Sequence, residues 1–294
     1  MADRQALFTD LDGTLYNWVD FFAPSFRAMV HVLARETSLD EDRIMESFRR
    51  VYVTHGTLEY SYSVQELDIW KDLNWPADRV MKDAVRKARG AFRRVRDKHL
   101  QLFPHVKETL SWAREEKILV FAYTNAPRYH AHKRLRKLHL DRMVDCLVFF
   151  RDIGVPVHAP EDVLAKKEEP PSDIKCEEHF TLAERKPDPT PIHRLLVKYE
   201  LDPKATFMVG DSLEHDVLLA QTAGIVDVWA SYGNLAAKKE NLVTIQRIST
   251  LTEEEGERNR ALRIHVKPTH TIDDFSELKS IIGSRMPRQL TFPS

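Results

Sequence analysis

The protein has 294 residues, of which 43% are hydrophobic, and its 44 basic and 45 acidic side chains give a net charge of −1. This length allows one large core, or a core domain with a smaller one, and the balanced charge excludes a general attraction to nucleic acid or membrane surfaces. No apolar run reaches the roughly 20 residues that cross a bilayer, and two cysteines are too few for a disulfide framework or a structural zinc site. We therefore expect a cytoplasmic protein without a signal peptide, whose partners include neither a membrane nor a nucleic-acid polymer.

The first predicted element is a buried strand that ends in two carboxylates. Residues 6–9 form an apolar run, and Asp10, Asp12 and Gly13 follow within four positions. Because alternate residues of an extended chain point the same way, the two carboxylates can converge at the end of the strand. Gly13 allows a sharp turn that a residue with a Cβ would resist. Two convergent acids suit a magnesium ion and a phosphate group, although a polar strand end or an Asx turn is the alternative.

A long helical segment follows this turn. Apolar residues recur at helical spacing over three stretches, residues 22–34, 41–52 and 80–95. Trp75 and Pro76 interrupt the pattern between the second and third stretches. An insertion at this position would lie above the carboxylate turn as a cap. We therefore expect a discontinuous core domain of residues 1–16 and 100–294, with a helical cap domain of residues 17–99.

Strands and helices then alternate along the rest of the chain. The predicted strands are residues 118–123, 205–209, 225–230 and, from a weaker pattern, 262–266. The predicted helices between them are residues 105–116, 190–199 and 214–222. This alternation indicates crossover connections and a mostly parallel sheet. Two insertions stand out: residues 151–184 contain four prolines and are expected to form a long loop, and the charged residues 233–260 contain a capping box at Thr252 and Glu255.

Polar residues with a use in phosphate chemistry lie at the ends of these strands. Thr124 and Asn125 end the second strand with a hydroxyl and an amide, which are hydrogen-bond partners for a phosphate oxygen. Asp211 ends the third strand, and Asp216 follows five residues later. Lys186 comes just before a proline-marked helix start, a suitable place for an anchored positive charge. Open α/β sheets bind ligands outside the carboxyl ends of their strands, so these residues are expected at the ligand site.

Together and in this order, the motifs at Asp10, Thr124, Lys186 and Asp211 resemble the four motifs of the haloacid dehalogenase superfamily of phosphohydrolases. The resemblance covers the core segments, residues 5–16, 118–126 and 184–232. It implies an α/β fold: a Rossmann-like, doubly wound, mostly parallel sheet with an inserted α-helical cap domain of the C1 type.

The resemblance also implies catalytic roles. Asp10 would be the nucleophile that forms an aspartyl-phosphate, and Asp12 would protonate the leaving oxygen and then serve as base for the hydrolytic water. Thr124, Lys186 and the backbone amide of Asn125 would hold the phosphoryl group. Elementary chemistry agrees, because a covalent intermediate replaces one difficult step with two easier ones, and a second acid can move the proton in each direction.

The implied cofactor is Mg²⁺. Asp10, the backbone carbonyl of Asp12 and Asp211 would bind it, and Asp216 would act as a further ligand or as a support for the others. A dianionic phosphate repels a carboxylate nucleophile, so a divalent cation and a lysine must offset that charge. Magnesium prefers oxygen ligands, which carboxylates and a phosphate supply.

The leading interpretation is a phosphate monoester hydrolase for a small phosphorylated metabolite. A phosphomutase would use the same aspartyl-phosphate, and a non-catalytic phosphate-binding or regulatory protein is a further alternative. Dehalogenation is disfavoured because a halide leaving group does not need the proton that Asp12 would supply. Substrate contacts are expected just after the turn, where Tyr16, Asn17, Trp18 and Asp20 are candidates by position. The substrate's identity and the oligomeric state stay open.

Overall fold

The computed structural model describes residues 4–73, 79–150, 172–235 and 237–284. Its strands are β1 (Arg4–Thr9), β2 (Leu119–Pro127), β3 (Cys146–Phe150), β4 (Cys176–Phe180), β5 (Leu201–Gly210), β6 (Val226–Ala230) and β7 (His270–Ile272). Its helices are α1 (Trp18–Thr37), α2 (Glu41–His55), α3 (Ile69–Asp72), α4 (Arg79–His99), α5 (Val106–Glu115), α6 (Arg128–Lys137), α7 (Thr190–Lys198), α8 (Leu218–Ala223), α9 (Ser231–Leu235), α10 (Lys239–Ile248), α11 (Glu253–His265) and α12 (Leu278–Gly283).

The strands form one parallel sheet in the order β4-β3-β2-β1-β5-β6-β7. The chain adds β2, β3 and β4 on one side of β1 and then returns to add β5, β6 and β7 on the other side. Open sheets of this kind have a crevice where the strand order reverses, here at the carboxyl ends of β1 and β5. The predicted doubly wound α/β fold is confirmed.

Burial on both faces of the sheet explains why its central strands are apolar without interruption. In β1, Leu7 belongs to the hydrophobic core on one face and Phe8 to the core on the other. Phe8 stacks on Phe121 of the neighbouring strand with ring centroids 4.5 Å apart. A strand that is covered on both faces cannot show the polar alternation of a half-exposed one.

The helical stretches predicted at residues 22–34, 41–52 and 80–95 are confirmed as parts of α1, α2 and α4. Asn17 caps the first of these helices by accepting the backbone N–H of Asp20. Phe26 and Phe48 meet edge to face between α1 and α2, with centroids 5.0 Å apart. Trp75 and Pro76 lie outside the described residues, and the division into core and cap domains stays a prediction. No helix in the described part of the chain is both long and apolar enough to span a bilayer.

The strand predicted at residues 262–266 is wrong, because these residues end α11 and leave it. The capping box of Thr252 and Glu255, which the sequence analysis predicted, is present and starts that helix. None of the described residues of α11 is buried, so the apolar residues in this helix do not indicate a buried strand. The last strand is β7 instead, which follows Thr269; the backbone N–H and hydroxyl of Thr269 donate to Asp227 at 2.6 and 2.7 Å.

Two further strands, β3 and β4, were not predicted from the sequence. The five residues of β3 are all buried, whereas β4 lies at the edge of the sheet and carries charged residues, which hides its pattern. Residues 172–184 of the predicted long loop therefore contain a strand, and residues 151–171 lie outside the described residues. The helices predicted at residues 105–116, 190–199 and 214–222 are confirmed, the last beginning with a π-helical turn.

Candidate active site

The register of the central strands brings three of the sequence motifs to one edge of the sheet. Thr9, at the end of β1, is the register partner of Ala122 in β2 and of Val209 in β5. The backbone N–H of Asp10 donates to the carbonyl of Val209 at 2.9 Å and so continues the ladder by one residue. Thr124 and Asp211, each two residues beyond these partners, therefore lie beside Asp10 at this edge.

Two glycines allow the chain to pack closely around Asp211. Gly13 has a φ of 88°, which is strained for other residues, and its N–H donates to the carbonyl of Tyr16 at 2.9 Å. A Cβ on Gly13 would clash with the carboxylate of Asp211. A Cβ on Gly233, in α9, would clash with the carbonyl of Gly13. Only glycine fits at either position without a shift of the backbone or of Asp211.

Lys186 joins two of the predicted acids. Its Nζ lies 2.6 Å from Oδ1 of Asp10 and 2.7 Å from Oδ1 of Asp216, and its side chain is only 2% exposed. The ammonium group also lies 5.0 Å from the ring centroid of Tyr123. The second oxygen of Asp216 accepts the backbone N–H of Ser212 at 3.1 Å. Both carboxylate oxygens of Asp216 are thus engaged, and the lysine is fixed from two sides.

Three carboxylates lie close together here, and Lys186 contacts two of them, Asp10 and Asp216. One oxygen from each of Asp10, Asp211 and Asp216 lies within 4.8 Å of the others. Burial raises the pKa of Asp10 to about 7, and Asp216 adds to the rise although Lys186 opposes it. Burial and the two neighbouring acids raise the pKa of Asp211 well above its usual range. Burial is the largest cause of both raised pKa values, and oxygen donors in this arrangement fit a bound Mg²⁺.

Asp12 lies apart from this cluster and pairs with an arginine that the sequence analysis did not single out. Its Oδ1 accepts from Nη1 of Arg134, in α6, at 2.9 Å. The other terminal nitrogen of Arg134 donates to Oε2 of Glu59 at 2.8 Å. Glu59 also accepts from Nε1 of Trp18 at 3.1 Å. The arginine, which is 4% exposed, therefore connects the turn after β1 with residues of the helical insertion.

A signal in the sequence could have indicated Arg134. Ala131 and Leu135 are fully buried residues of α6, and Arg134 shares their face of the helix. A charge on an apolar helix face needs a buried counter-charge. The identity of its partners, Asp12 and Glu59, could not be read from the sequence because both are far away along the chain.

Burial and pairing with Arg134 act in opposite directions on the pKa values of Asp12 and Glu59. Burial raises the pKa of Asp12 to about 6, although Arg134 opposes the rise. Burial also opposes ionisation of Glu59, but Arg134 and other nearby donors outweigh it and hold the pKa of Glu59 below its usual value. Arg134 therefore favours the ionised form of both groups.

We expect Arg134→Met to destabilise the fold by about 3–5 kcal/mol near neutral pH, because Asp12 and Glu59 stay buried without their counter-charge. Burial then raises both pKa values above those of the unfolded chain, so the folded variant binds more protons and loses stability as the pH rises. Urea unfolding should show a larger deficit against wild type at about pH 8 than at about pH 5.

Two further variants control this measurement. The double variant Arg134→Met/Glu59→Gln should lose less stability than the sum of its single variants, because the two side chains interact. Arg142→Met removes an arginine whose side chain is 83% exposed and should change stability by less than about 0.5 kcal/mol. An equal deficit for Arg134→Met at both pH values would contradict the prediction.

Thr124 and Asn125 lie at the carboxyl end of β2, as predicted. Thr124 is 1% exposed, and its Oγ1 accepts the backbone N–H of Ala126 at 3.0 Å. Its own hydroxyl proton can therefore be donated to a ligand. Asn125 is exposed at the strand end, where its backbone amide can meet solvent or a ligand.

The positional candidates for substrate contact have structural roles. Tyr16 is fully buried, and Trp18 stacks on a neighbouring phenylalanine ring with centroids 4.4 Å apart. Asn17 caps α1, and Asp20 accepts the backbone N–H of Lys238 at 3.0 Å. These four residues position the start of the insertion relative to the core.

Comparison with known proteins supports the interpretation of these motifs. The family model of haloacid dehalogenase-like hydrolases matches residues 5–170, which is more than half of the chain. A second model, of HAD-like hydrolases, matches residues 183–278. The chain belongs to the haloacid dehalogenase-like hydrolase family. The resemblance that the motifs indicated is confirmed.

Curated relatives of this family member include phosphoglycolate phosphatases. The one from Mannheimia succiniciproducens is 28% identical over 133 residues, 45% of this chain and 46% of the relative. The one from Pasteurella multocida is 29% identical over 132 residues, with the same shares. The chain spans about half the length of the curated relatives it matches.

Solved structures show the same fold. A 2-haloacid dehalogenase from Pseudomonas syringae pv. Tomato DC3000 is similar over 96% of this chain and 99% of its own, with 17% identity and a TM-score of 0.54. A HAD phosphatase from Thermococcus onnurineus is similar over 95% of this chain and 98% of its own, with 17% identity and a TM-score of 0.50. At this identity the likeness concerns the fold alone.

Proposed function

We propose that this chain is a magnesium-dependent phosphate monoester hydrolase that acts on a small phosphorylated metabolite through an aspartyl-phosphate on Asp10. The observation that carries the proposal is the cluster of Asp10, Asp211 and Asp216 at the carboxyl edge of the sheet, in which the buried Lys186 contacts Asp10 and Asp216. A nucleophile, oxygen ligands and an anchored cation occupy one site. The curated relatives named as phosphoglycolate phosphatases support a phosphate ester as substrate.

In the first step, a carboxylate oxygen of Asp10 attacks phosphorus, and the bond between phosphorus and the leaving oxygen breaks. Lys186, 2.6 Å from Asp10, offsets the repulsion between this carboxylate and the anionic phosphoryl group. The hydroxyl of Thr124 and the backbone amide of Asn125 hold phosphoryl oxygens at the end of β2. These contacts orient the phosphorus for attack.

Asp12 moves the proton in both steps. Its protonated form gives a proton to the leaving oxygen, and its ionised form then takes one from the water that hydrolyses the aspartyl-phosphate. A pKa raised to about 6 by burial makes both forms accessible near neutral pH. Arg134 holds the side chain in place between the steps.

We assign the magnesium site to Asp10, Asp211 and the backbone carbonyl of Asp12. When bound, Mg²⁺ supplies charge neutralisation at the phosphoryl oxygens and orients the group for attack. Asp216 supports these ligands, because its two oxygens already bind Lys186 and the N–H of Ser212. We further propose that residues 17–99 form the cap above this site, with core residues 1–16 and 100–294. A cytoplasmic location stays a prediction.

The test is phosphate release from a panel of phosphorylated metabolites that includes phosphoglycolate, sugar phosphates and nucleotides. With Mg²⁺ we expect turnover of at least one compound; a chelator should reduce it to background, and excess Mg²⁺ should restore it. Release that persists in the chelator would contradict the magnesium assignment. Isomerisation of a sugar phosphate without phosphate release would indicate a phosphomutase instead.

A further inference from the structure

A second group of potential metal ligands lies away from the acid cluster. Cys146 and Cys176 are the first residues of β3 and β4, and they are direct register partners in the sheet. Both are free thiols, the first buried and the second half-buried. They lie near the amino ends of these strands, whereas Asp10 lies beyond the carboxyl end of β1. The proposed hydrolase mechanism uses neither cysteine.

Oxygen atoms converge on the two sulfurs. The Sγ atoms of Cys146 and Cys176 and a carboxylate oxygen of Glu178 all lie within 4.8 Å of one another. The hydroxyl of Tyr199, just after α7, lies 2.9 Å from Sγ of Cys176 and 3.9 Å from Sγ of Cys146. The same hydroxyl lies 3.2 Å from Oε1 of Glu178. Four donor atoms, from β3, from β4 and from the residue after α7, therefore lie close together.

The chemistry of these donors favours a soft cation. Thiolates select zinc and similar metals, whereas magnesium requires oxygen ligands. Zinc–sulfur bonds of about 2.3 Å place two sulfurs of a tetrahedral site about 3.8 Å apart. The Sγ atoms of Cys146 and Cys176 lie within 4.8 Å of each other, so a small movement brings them to that separation.

Charge balance supports the same conclusion. Two thiolates and one carboxylate carry three negative charges, and a divalent cation leaves one. Lys198, whose Nζ contacts Oε1 of Glu178, supplies the remaining positive charge.

We propose that Cys146, Cys176 and Glu178 form a binding site for a thiophilic divalent cation such as zinc, separate from the magnesium site. Tyr199 completes the site as a fourth ligand or as a hydrogen-bond partner of the ligands. Bound there, the cation connects the edge strand β4 to β3. Lys186 follows β4 by six residues, so the cation stabilises the segment that leads to the active-site lysine.

The test uses the reduced, metal-free, full-length protein. Titration with Cd²⁺ should produce the ultraviolet charge-transfer absorption of cadmium–thiolate bonds and saturate at one ion per chain. Zn²⁺ should compete with Cd²⁺ for the site, which removes the absorption band, and should raise the melting temperature. Mg²⁺ should leave the absorption band unchanged. Absence of the band from the reduced protein would overturn the proposal.

Variants on one strand identify the ligands. Cys176→Ser, at a half-buried position, should lose the band, and Glu178→Gln should weaken Cd²⁺ binding by about tenfold or more. The matched control is Glu177→Gln, because Glu177 pairs instead with Arg128 and His132 and should keep wild-type Cd²⁺ affinity. Circular dichroism checks that each variant is folded. Equal Cd²⁺ affinity in the Glu178→Gln and wild-type proteins would contradict the assigned ligand set.

Discussion

Asp10→Asn is expected to lower phosphate release by about three orders of magnitude or more while leaving the protein folded. An amide is nearly the same size as a carboxyl group, but it neither attacks phosphorus nor carries the charge that a metal ligand needs. Lys186 keeps a carboxylate partner in Asp216, 2.7 Å away, so the buried ammonium group is not left unpaired. Phosphate release with Mg²⁺, together with circular dichroism and urea unfolding, measures both parts of the prediction.

The matched control for this variant is Asp173→Asn, which makes the same chemical change on a side chain that is 62% exposed. It should release phosphate at the wild-type rate. If Asp10→Asn keeps more than about a tenth of the wild-type rate, a group other than Asp10 is the nucleophile.

Lys186→Met should lose both activity and stability. Removal of the ammonium group leaves Asp10 and Asp216 buried beside each other, and breaking a buried pair in this way costs about 3–5 kcal/mol. Turnover should fall about a hundredfold or more, because the phosphoryl group loses its anchored positive charge. Unfolding in urea and phosphate release measure the two losses separately.

Lys133→Met provides a control, because the ammonium group of Lys133 also lies over a tyrosine ring. Nζ of Lys133 lies 5.4 Å from the ring centroid of Tyr129, much as Lys186 lies over Tyr123. This lysine has no place in the proposed mechanism, so turnover should stay at the wild-type level. Wild-type stability in Lys186→Met would show that the ion pairs with Asp10 and Asp216 do not hold the buried acids.

The loss of stability in Lys186→Met should depend on pH. Without the lysine, burial and repulsion by the neighbouring carboxylates hold the pKa of Asp10 above the value of the unfolded chain. The folded variant then binds more protons than the unfolded chain, so its stability falls as the pH rises through that range. The deficit against wild type should therefore be smaller at about pH 5 than at about pH 8.

Local pattern was sufficient for most of the central sheet. The strands at residues 6–9, 118–123, 205–209 and 225–230 were predictable because burial on both faces demands an apolar run. The strand β4 was not, because it is the outermost strand on its side of the sheet among the described residues and its side chains include charged residues. The sequence alone also could not reject residues 262–266 as a strand, since an exposed helix with scattered apolar residues has no buried face.

The motifs themselves were readable because each lies within a few residues of a strand end. Asp10 and Asp211 directly follow β1 and β5, and Thr124 lies in the last four residues of β2, so a correct strand assignment places them at one edge. Their roles in catalysis still rest on the experiments proposed above. The resemblance to the hydrolase family needed only these local segments, which is why the family could be named from them.

The sequence by itself determined the fold class, the order of the central strands' motifs and the family. Only the tertiary structure decided which distant groups share a buried charge: Arg134 reaches Asp12 across 122 positions and Glu59 across 75. It also decided that Cys146 and Cys176, which are 30 positions apart, are register partners in adjacent strands. The physical reason is that periodicity records whether a residue is buried, whereas the partner that neutralises or binds it is set by the register and packing of the whole chain.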